Sequence, residues 1–383
     1  MSVRAFPIPN IDFITHKVND NLIKFVTMNK KVGNILKYGA SVLLALVLLF
    51  FAFKKVDWAE FWSALKACRW EYVILSMLFC LLAFYCRAVR WRELLLPIDP
   101  TTSRRTCFNA VNISYAVNMA LPRVGEVVRC GYITSRSKKV SDGENGQPRR
   151  LASFDKVLGT AALERSVDVI MLFLVLFVFL LFTWDRFGGF FADNIFGAAS
   201  GRFSMARVIA FAVLVILAAL FVWATIRYSD KWKPLKKISD FCKGIWQGFL
   251  SCLKMKRAWW FFLLTLMIWG CYWMMSATIL WAVQGIDATK VSSDLATAVS
   301  SIQNLNLTDA MFLMLAGSLS SLVPVPGGFG AFHFIVAGAI SYAYGLPFEF
   351  GIIFATLSHE SQGINQLLWG AISYIDEQLR KKI

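Results

Sequence analysis

Between Asp309 and Glu349 the chain carries no charged residue apart from His333, and in the middle of that stretch stands Ser321-Leu-Val-Pro324-Val-Pro326-Gly327-Gly328-Phe-Gly330-Ala-Phe-His333. A segment so apolar would normally form a membrane helix. Pro324 and Pro326 each remove a backbone donor, however, and Gly327, Gly328 and Gly330 open dihedrals that other residues avoid, so the helix is expected to break here. Broken backbone at membrane depth is tolerated only where protein buries it or water reaches it, which makes such a break the mark of a pore, cavity or substrate site. The alternative is an ordinary loop between two spans. Its flanks, Leu307 to Leu322 and Phe329 to Gly345, each fall slightly short of the roughly 20 residues of a full crossing.

Of the 383 residues 57% are hydrophobic and 15% aromatic, too little polar surface for a soluble globule. An all-α polytopic integral membrane protein is expected. The net charge of +16 comes from basic residues dispersed among hydrophobic spans with no nucleic-acid motif beside them. An anionic lipid surface is therefore the expected partner, and nucleic acid is not. Of the eight cysteines, only Cys68 falls plausibly outside spans, membrane-dipping segments and basic cytoplasmic regions, so no disulfide framework or paired metal motif is expected. No Gly-x-Ser-x-Gly, Walker loop or Cys-x-x-Cys occurs, and no soluble stretch is long enough for a catalytic domain. Neither enzymatic activity nor a cofactor is expected.

Arg4, Lys17, Lys24, Lys30, Lys31 and Lys37 precede the first apolar run against only Asp12 and Asp20, which places residues 1–37 in the cytoplasm. That segment lacks the apolar core of a cleavable signal, so Tyr38 to Phe53 reads as a retained span. Tyr72 to Cys86 returns the chain, and Arg87, Arg90, Arg92, Arg104 and Arg105 read as markers of the cytoplasmic face. Cys107 to Ala120 is too short to span and runs into Leu121-Pro122-Arg123-Val-Gly125-Glu126-Val-Val-Arg129, with basic sequence on both sides. A re-entrant hairpin dipping from the cytoplasm is expected. Asp155 to Trp184 leads outward, Val208 to Ile226 returns, and Arg227 to Arg257 sets nine Lys or Arg against two Asp, with an apolar stripe at helical spacing inside it. Ala258 to Gln284 leads outward again and Pro347 to Ile375 ends inside, before Arg380, Lys381 and Lys382. Leu307 to Tyr344 then has to be a second re-entrant pair. The expected architecture is about six full spans plus two broken elements, in an inner-membrane protein with both termini cytoplasmic. Leu121-Pro122-x-x-Gly125 overlays Val323-Pro324-x-x-Gly327, the pattern of an inverted repeat of the kind found in alternating-access transporters.

Three polar groups lie within this apolar frame. Arg123, Glu126 and Arg129 flank the first break, and paired guanidinium groups suit a lipid phosphate; interfacial anchoring is the other reading. Glu164 and Asp168 share a helix face beside Arg165 and repel unless a cation sits between them. Arg123 or Arg129 could supply it, or the cluster could simply mark the headgroup-level start of a span. His333 follows the second break, while His359 and Glu360 fall near the middle of the last helix, with Gln362, Asn365 and Gln366 beyond. A proton relay and a structural polar network both fit. A metal is not expected, because no second ligand stands at i+4 of a helical site.

At Asn118-x-x-x-Pro122-Arg123-x-Gly125-Glu126-x-x-Arg129, Glu164-Arg165-x-x-Asp168 and Pro324-x-Pro326-Gly327-Gly328-x-Gly330, the chain resembles the lysylphosphatidylglycerol synthase transmembrane family of flippase-like proteins. The resemblance covers residues 38–383 as one transmembrane domain. It implies a stand-alone translocator of a phospholipid or lipid-linked substrate of the cell membrane, with no synthase domain. Other roles open to such a chain are membrane partner of a separate lipid-modifying aminoacyl-transferase and accessory subunit in envelope-glycan assembly. Typical members carry Glu where His333 stands and Arg where His359 stands, which implies that the two histidines meet in space.

Overall fold

The computed structural model describes residues 38–121, 124–140, 149–195 and 257–382, and every structural statement below is made of these. The expected span Val208 to Ile226, nearly all of the segment Arg227 to Arg257, residues 1–37, and Pro122 and Arg123 lie outside the described residues.

Helices α1 (Tyr38–Phe53) and α2 (Trp58–Ala67) are two parts of one apolar stretch bent by 86°. Asp57 starts the second of them: its carboxylate accepts the N–H of Ala59 at 2.8 Å and of Glu60 at 3.2 Å, satisfying donors that a helix start leaves open. Tyr38 to Phe53 thus meets the length of a crossing only together with α2. Helix α3 (Trp70–Leu95) does not stop at Cys86. No Gly or Pro interrupts it, and it carries Arg87 and Arg90 inward as buried helix residues, which corrects their reading as markers of the cytoplasmic face.

Helices α4 (Arg104–Ala120) and α5 (Val124–Arg136) pack on each other across the first break. A two-residue ladder, β1 (Lys139–Val140) with β2 (Arg149–Arg150), leads to α6 (Phe154–Ile195). This helix outruns the expected end at Trp184. It kinks at Thr183, whose hydroxyl donates to the Phe179 carbonyl at 2.7 Å, and then places Arg186 2.6 Å from the buried Asp309. After α7 (Ala258–Gln284) and the short α8 (Ser293–Ser301) comes α9 (Leu307–Leu319), opened by a reciprocal cap between Asn306 and Asp309. Single 3-10 turns at Ser320–Leu322 and Pro326–Gly328 replace the helix through the second break. Helix α10 (Ala331–Tyr344) and the long α11 (Phe348–Lys382) complete the fold.

Among the described residues α3, α6 and α7 are each long and apolar enough to cross a membrane, and the bent α1–α2 pair makes a fourth if it counts as one span. The outer faces agree with a lipid surround. On α6, Phe173, Leu181 and Phe182 are exposed, Phe182 to 84%, an arrangement that water would disfavour and hydrocarbon accepts.

The two largest apolar cores among the described residues lie along the helices. One gathers Trp91, Val111, Ile133, Val157 and Phe261; the other gathers Phe187, Phe312, Ile279, Val336 and Ile353. Along α7, Phe261 belongs to the first core and Ala277 onward to the second, with Thr265 and Tyr272 between them facing a polar layer. The six described cysteines are free and buried, Cys68 included.

Candidate functional site

The polar layer holds two clusters and a cavity. In the first cluster, Glu164 is fully buried and receives three guanidinium groups: Arg87 Nη1 at 3.0 Å and Arg90 Nη2 at 3.2 Å donate to Oε1, and Arg129 Nη1 at 2.7 Å donates to Oε2. Asp168, one turn further along α6, receives Arg87 at 2.8 Å and Arg90 at 2.7 Å. The i, i+3 spacing of the two arginines on α3 faces the i, i+4 spacing of the two carboxylates on α6, so the helices meet as a charged ladder. Arg129 also lies 2.5 Å from Glu126 and 4.4 Å from the Trp91 ring centre. Glu126 pairs in turn with Arg165, which is 41% exposed. Arg90 finds Thr265 at 3.2 Å, and Arg87 Nη2 donates to the Tyr272 hydroxyl at 2.9 Å. Removing one partner from such a buried network leaves an uncompensated charge and costs about 3–5 kcal/mol.

Of the residues singled out from sequence, Arg129, Glu126, Glu164, Arg165 and Asp168 come together here. Arg129 does meet Glu164, but it is buried and its guanidinium is turned toward carboxylates. Arg123 and Pro122 lie outside the described residues. Asn118 serves the backbone: its Oδ1 accepts the Gly125 N–H at 2.8 Å and closes the first break. Gly125 is required there, because a methyl group would stand 2.1 Å from the Ser114 carbonyl. Sequence reasoning missed Arg87 and Arg90. The signal available was two carboxylates lacking enough cations, opposite a helix with no breaker before Pro97.

The second cluster forms at the other break. Gly327, Gly328 and Gly330 all take positive φ, at 56°, 82° and 77°, and the prolines at 324 and 326 keep the intervening backbone extended or turned. A methyl group on Gly330 would stand 2.8 Å from both the Ala45 carbonyl and the Leu49 nitrogen, so α1 presses its backbone onto the break. The turned backbone presents the Gly327 carbonyl to His359 Nε2 at 2.9 Å. On its other side, His359 Nδ1 lies 3.2 Å from Glu360 Oε1, and His333 Nε2 lies 3.3 Å from that same oxygen. The two imidazole rings are 5.2 Å apart centre to centre, so the histidines meet as the resemblance implied. The expectation against a metal rested on spacing within one helix, whereas the fold gathers three ligand-type side chains from α10 and α11.

Between the clusters lies a cavity of about 360 Å³, lined among others by Tyr115, Met119, Tyr272, Gly327, His359 and Gln362. Both broken elements reach it. Met119, at the end of α4, sits with its sulfur 3.2 Å from where a Gly327 methyl would be. The Tyr272 hydroxyl accepts from Arg87, and Tyr272 also lines the cavity. Four guanidinium groups against three carboxylates leave the adjoining cluster with one net positive charge.

The family model described as lysylphosphatidylglycerol synthase TM region matches residues 39–370. No curated protein and no solved structure matches the chain.

Proposed function

The chain belongs to the lysylphosphatidylglycerol synthase transmembrane-region family, and from that premise we propose that it translocates an anionic phospholipid or lipid-linked substrate between membrane leaflets, transferring no chemical group itself. The observation that carries this reading is the cavity walled by both broken elements, where Met119 of the first meets Gly327 of the second. Discontinuous helices meeting at a polar site are what alternating access requires, because short half-helices can rock where a continuous helix cannot. In this reading α4–α5 and α9–α10 are re-entrant elements of an inverted repeat, dipping from opposite faces.

The electrostatics support an anionic headgroup. The Tyr272 hydroxyl, polarised by Arg87 behind it, offers a donor into the cavity, and the cluster's surplus positive charge lies on the same side. Arg129 then acts as a tie within the cluster, while Arg123 remains the phosphate binder expected at the first break. Inner-membrane location with cytoplasmic termini follows from the basic flanks.

The test is reconstitution into liposomes with a fluorescent phosphatidylglycerol and a membrane-impermeant quencher. Wild-type protein should speed exchange between leaflets, and Ser318→Trp, which fills the cavity from its wall, should abolish the gain while leaving the fold intact. Exchange no faster than in empty vesicles, or equal exchange in the filled variant, would overturn the reading.

A further inference from the structure

We propose that His333, His359 and Glu360 form a binding site for one divalent transition-metal ion of the zinc class, which fastens the second break to α11. The inference stands on the geometry of this cluster and does not depend on the translocation reading.

The proton positions come first. A backbone carbonyl can only accept, so the contact between His359 Nε2 and Gly327 O at 2.9 Å requires the proton on Nε2. In the neutral ring His359 Nδ1 is then a bare lone pair, and it faces Glu360 Oε1, also an acceptor, at 3.2 Å. Two acceptors at that separation repel unless a cation sits between them. His333 adds a third donor atom: its Nε2 stands 3.3 Å from the same oxygen, while its Nδ1 is buried with no hydrogen-bond partner.

Two of the three ligand distances fit a metal. A tetrahedral zinc centre with bonds of about 2.0–2.1 Å places neighbouring ligand atoms about 3.3 Å apart. Two of the three edges here are 3.3 and 3.2 Å, and all three ligand atoms lie within 4.8 Å of one another. Two imidazoles and one carboxylate suit zinc, cobalt, nickel or copper in preference to magnesium or calcium, which take oxygen ligands. Three protein ligands leave a fourth position for water. The Gly327 carbonyl supplies the outer hydrogen bond that metal-binding histidines commonly make through their second nitrogen, fixing both tautomer and ring orientation. The site thus needs the positive φ of Gly327, since that dihedral aims the carbonyl.

Around the cluster, Phe53 lies 5.4 Å from the His333 ring, and Phe329 and Phe332 lie 5.0 and 5.2 Å from the His359 ring. Such an apolar collar strengthens the electrostatic hold on a cation. Glu360 is the most exposed member, with a side chain 40% accessible.

The experiment uses untagged full-length protein in detergent, stripped with a chelator and dialysed against zinc, with bound metal counted by mass spectrometry. Cobalt replaces zinc in a parallel sample, where a tetrahedral site gives a visible absorption band. One ion per chain is expected in the wild type and in His16→Ala, the control for the remaining histidine. Glu360→Gln and His359→Gln should each weaken binding beyond the roughly 10–100-fold that loss of an outer-shell partner costs. Zinc should raise the melting temperature of the wild type and leave both variants unmoved. Substoichiometric zinc in the wild type would overturn the proposal and leave a shared proton as the cation. Equal binding in wild type and both variants would overturn it too, as adventitious surface binding.

Discussion

Replacing Glu164 with glutamine removes one negative charge and one acceptor while keeping the shape, at a residue with no accessible surface. The geometry sets the size of the effect. Oε1 accepts from Arg87 and Arg90 and Oε2 accepts from Arg129, whereas a glutamine has only one carbonyl oxygen. Whichever way the amide turns, its NH₂ faces a guanidinium donor. Breaking a buried ion pair from one side costs about 3–5 kcal/mol; Asp168 still holds Arg87 and Arg90, and Glu126 still holds Arg129, so the lower end, about 3 kcal/mol, is expected. For a chain of this size that lowers the melting temperature by a few degrees, roughly 1 °C per kcal/mol. Thermal unfolding in a fixed detergent, followed by size-exclusion chromatography, reads this directly. Glu164→Gln should also weaken binding of anionic lipid, because it loosens Arg87 behind Tyr272. Adding Arg129→Gln should recover part of the loss, since the second change removes the charge that the first left uncompensated, giving a coupling of about 1–3 kcal/mol. If Glu164→Gln melts with the wild type, or if the two changes simply add, the ladder between α3 and α6 does not hold these helices as described.

Three further outcomes are expected. Gly125→Ala puts a methyl group 2.1 Å from a backbone oxygen and should destabilise by about 2 kcal/mol or more, displacing α5 from α4; Asn118→Ala, which only removes the Gly125 bond, should cost about 1 kcal/mol, and the ranking is checked by melting temperature. In metal-free buffer His333→Glu sets a second carboxylate beside Glu360 and should melt lower than the double change with His359→Arg, which supplies a cation between them; equal melting of both would mean the two positions do not couple. Outside the spans, burial alone would push the Asp99 carboxyl up, but bonds from Ser137 Oγ at 2.6 Å and Thr101 Oγ1 at 2.6 Å outweigh it and hold the group below its usual range. A depressed carboxylate contributes stability above its unfolded pKa of about 4 and loses it as pH falls through the folded value, so Asp99→Asn should narrow the gap in melting temperature between pH 7 and pH 3.

What the sequence discloses about this molecule follows the range of each interaction. The second break is written locally, in Pro324, Pro326 and the glycines whose positive φ the fold uses. Glu164 and Asp168 also announce themselves, because two carboxylates one turn apart demand a cation. Which cation answers is not local. Arg87 and Arg90 stand at the polar end of an apolar run, where an arginine that snorkels to the interface and one that turns inward look alike. The same holds for α6, which continues past Trp184 because Arg186 finds Asp309, more than a hundred residues away. Glu360 was visible only as a polar residue in a helix; its place beside His333 depends on how α10 folds back over α11.

The contact between Gly330 and α1 has a mechanical consequence. With no room for even a methyl group between them, the second break cannot slide along α1 and has to carry it. If translocation moves the break, the travelling body would be α1 together with it, and its pivot would fall at the 86° elbow where Asp57 starts a new helix. Beyond that elbow α2 is anchored, through the Ser292 hydroxyl on Glu60 and the Asp287 N–H on the Ala67 carbonyl. A gate that opens at the cavity would thus be worked by a lever whose fulcrum lies at the far end of the first helix, and proline substitutions at Lys54 or Lys55 would stiffen it without touching the site.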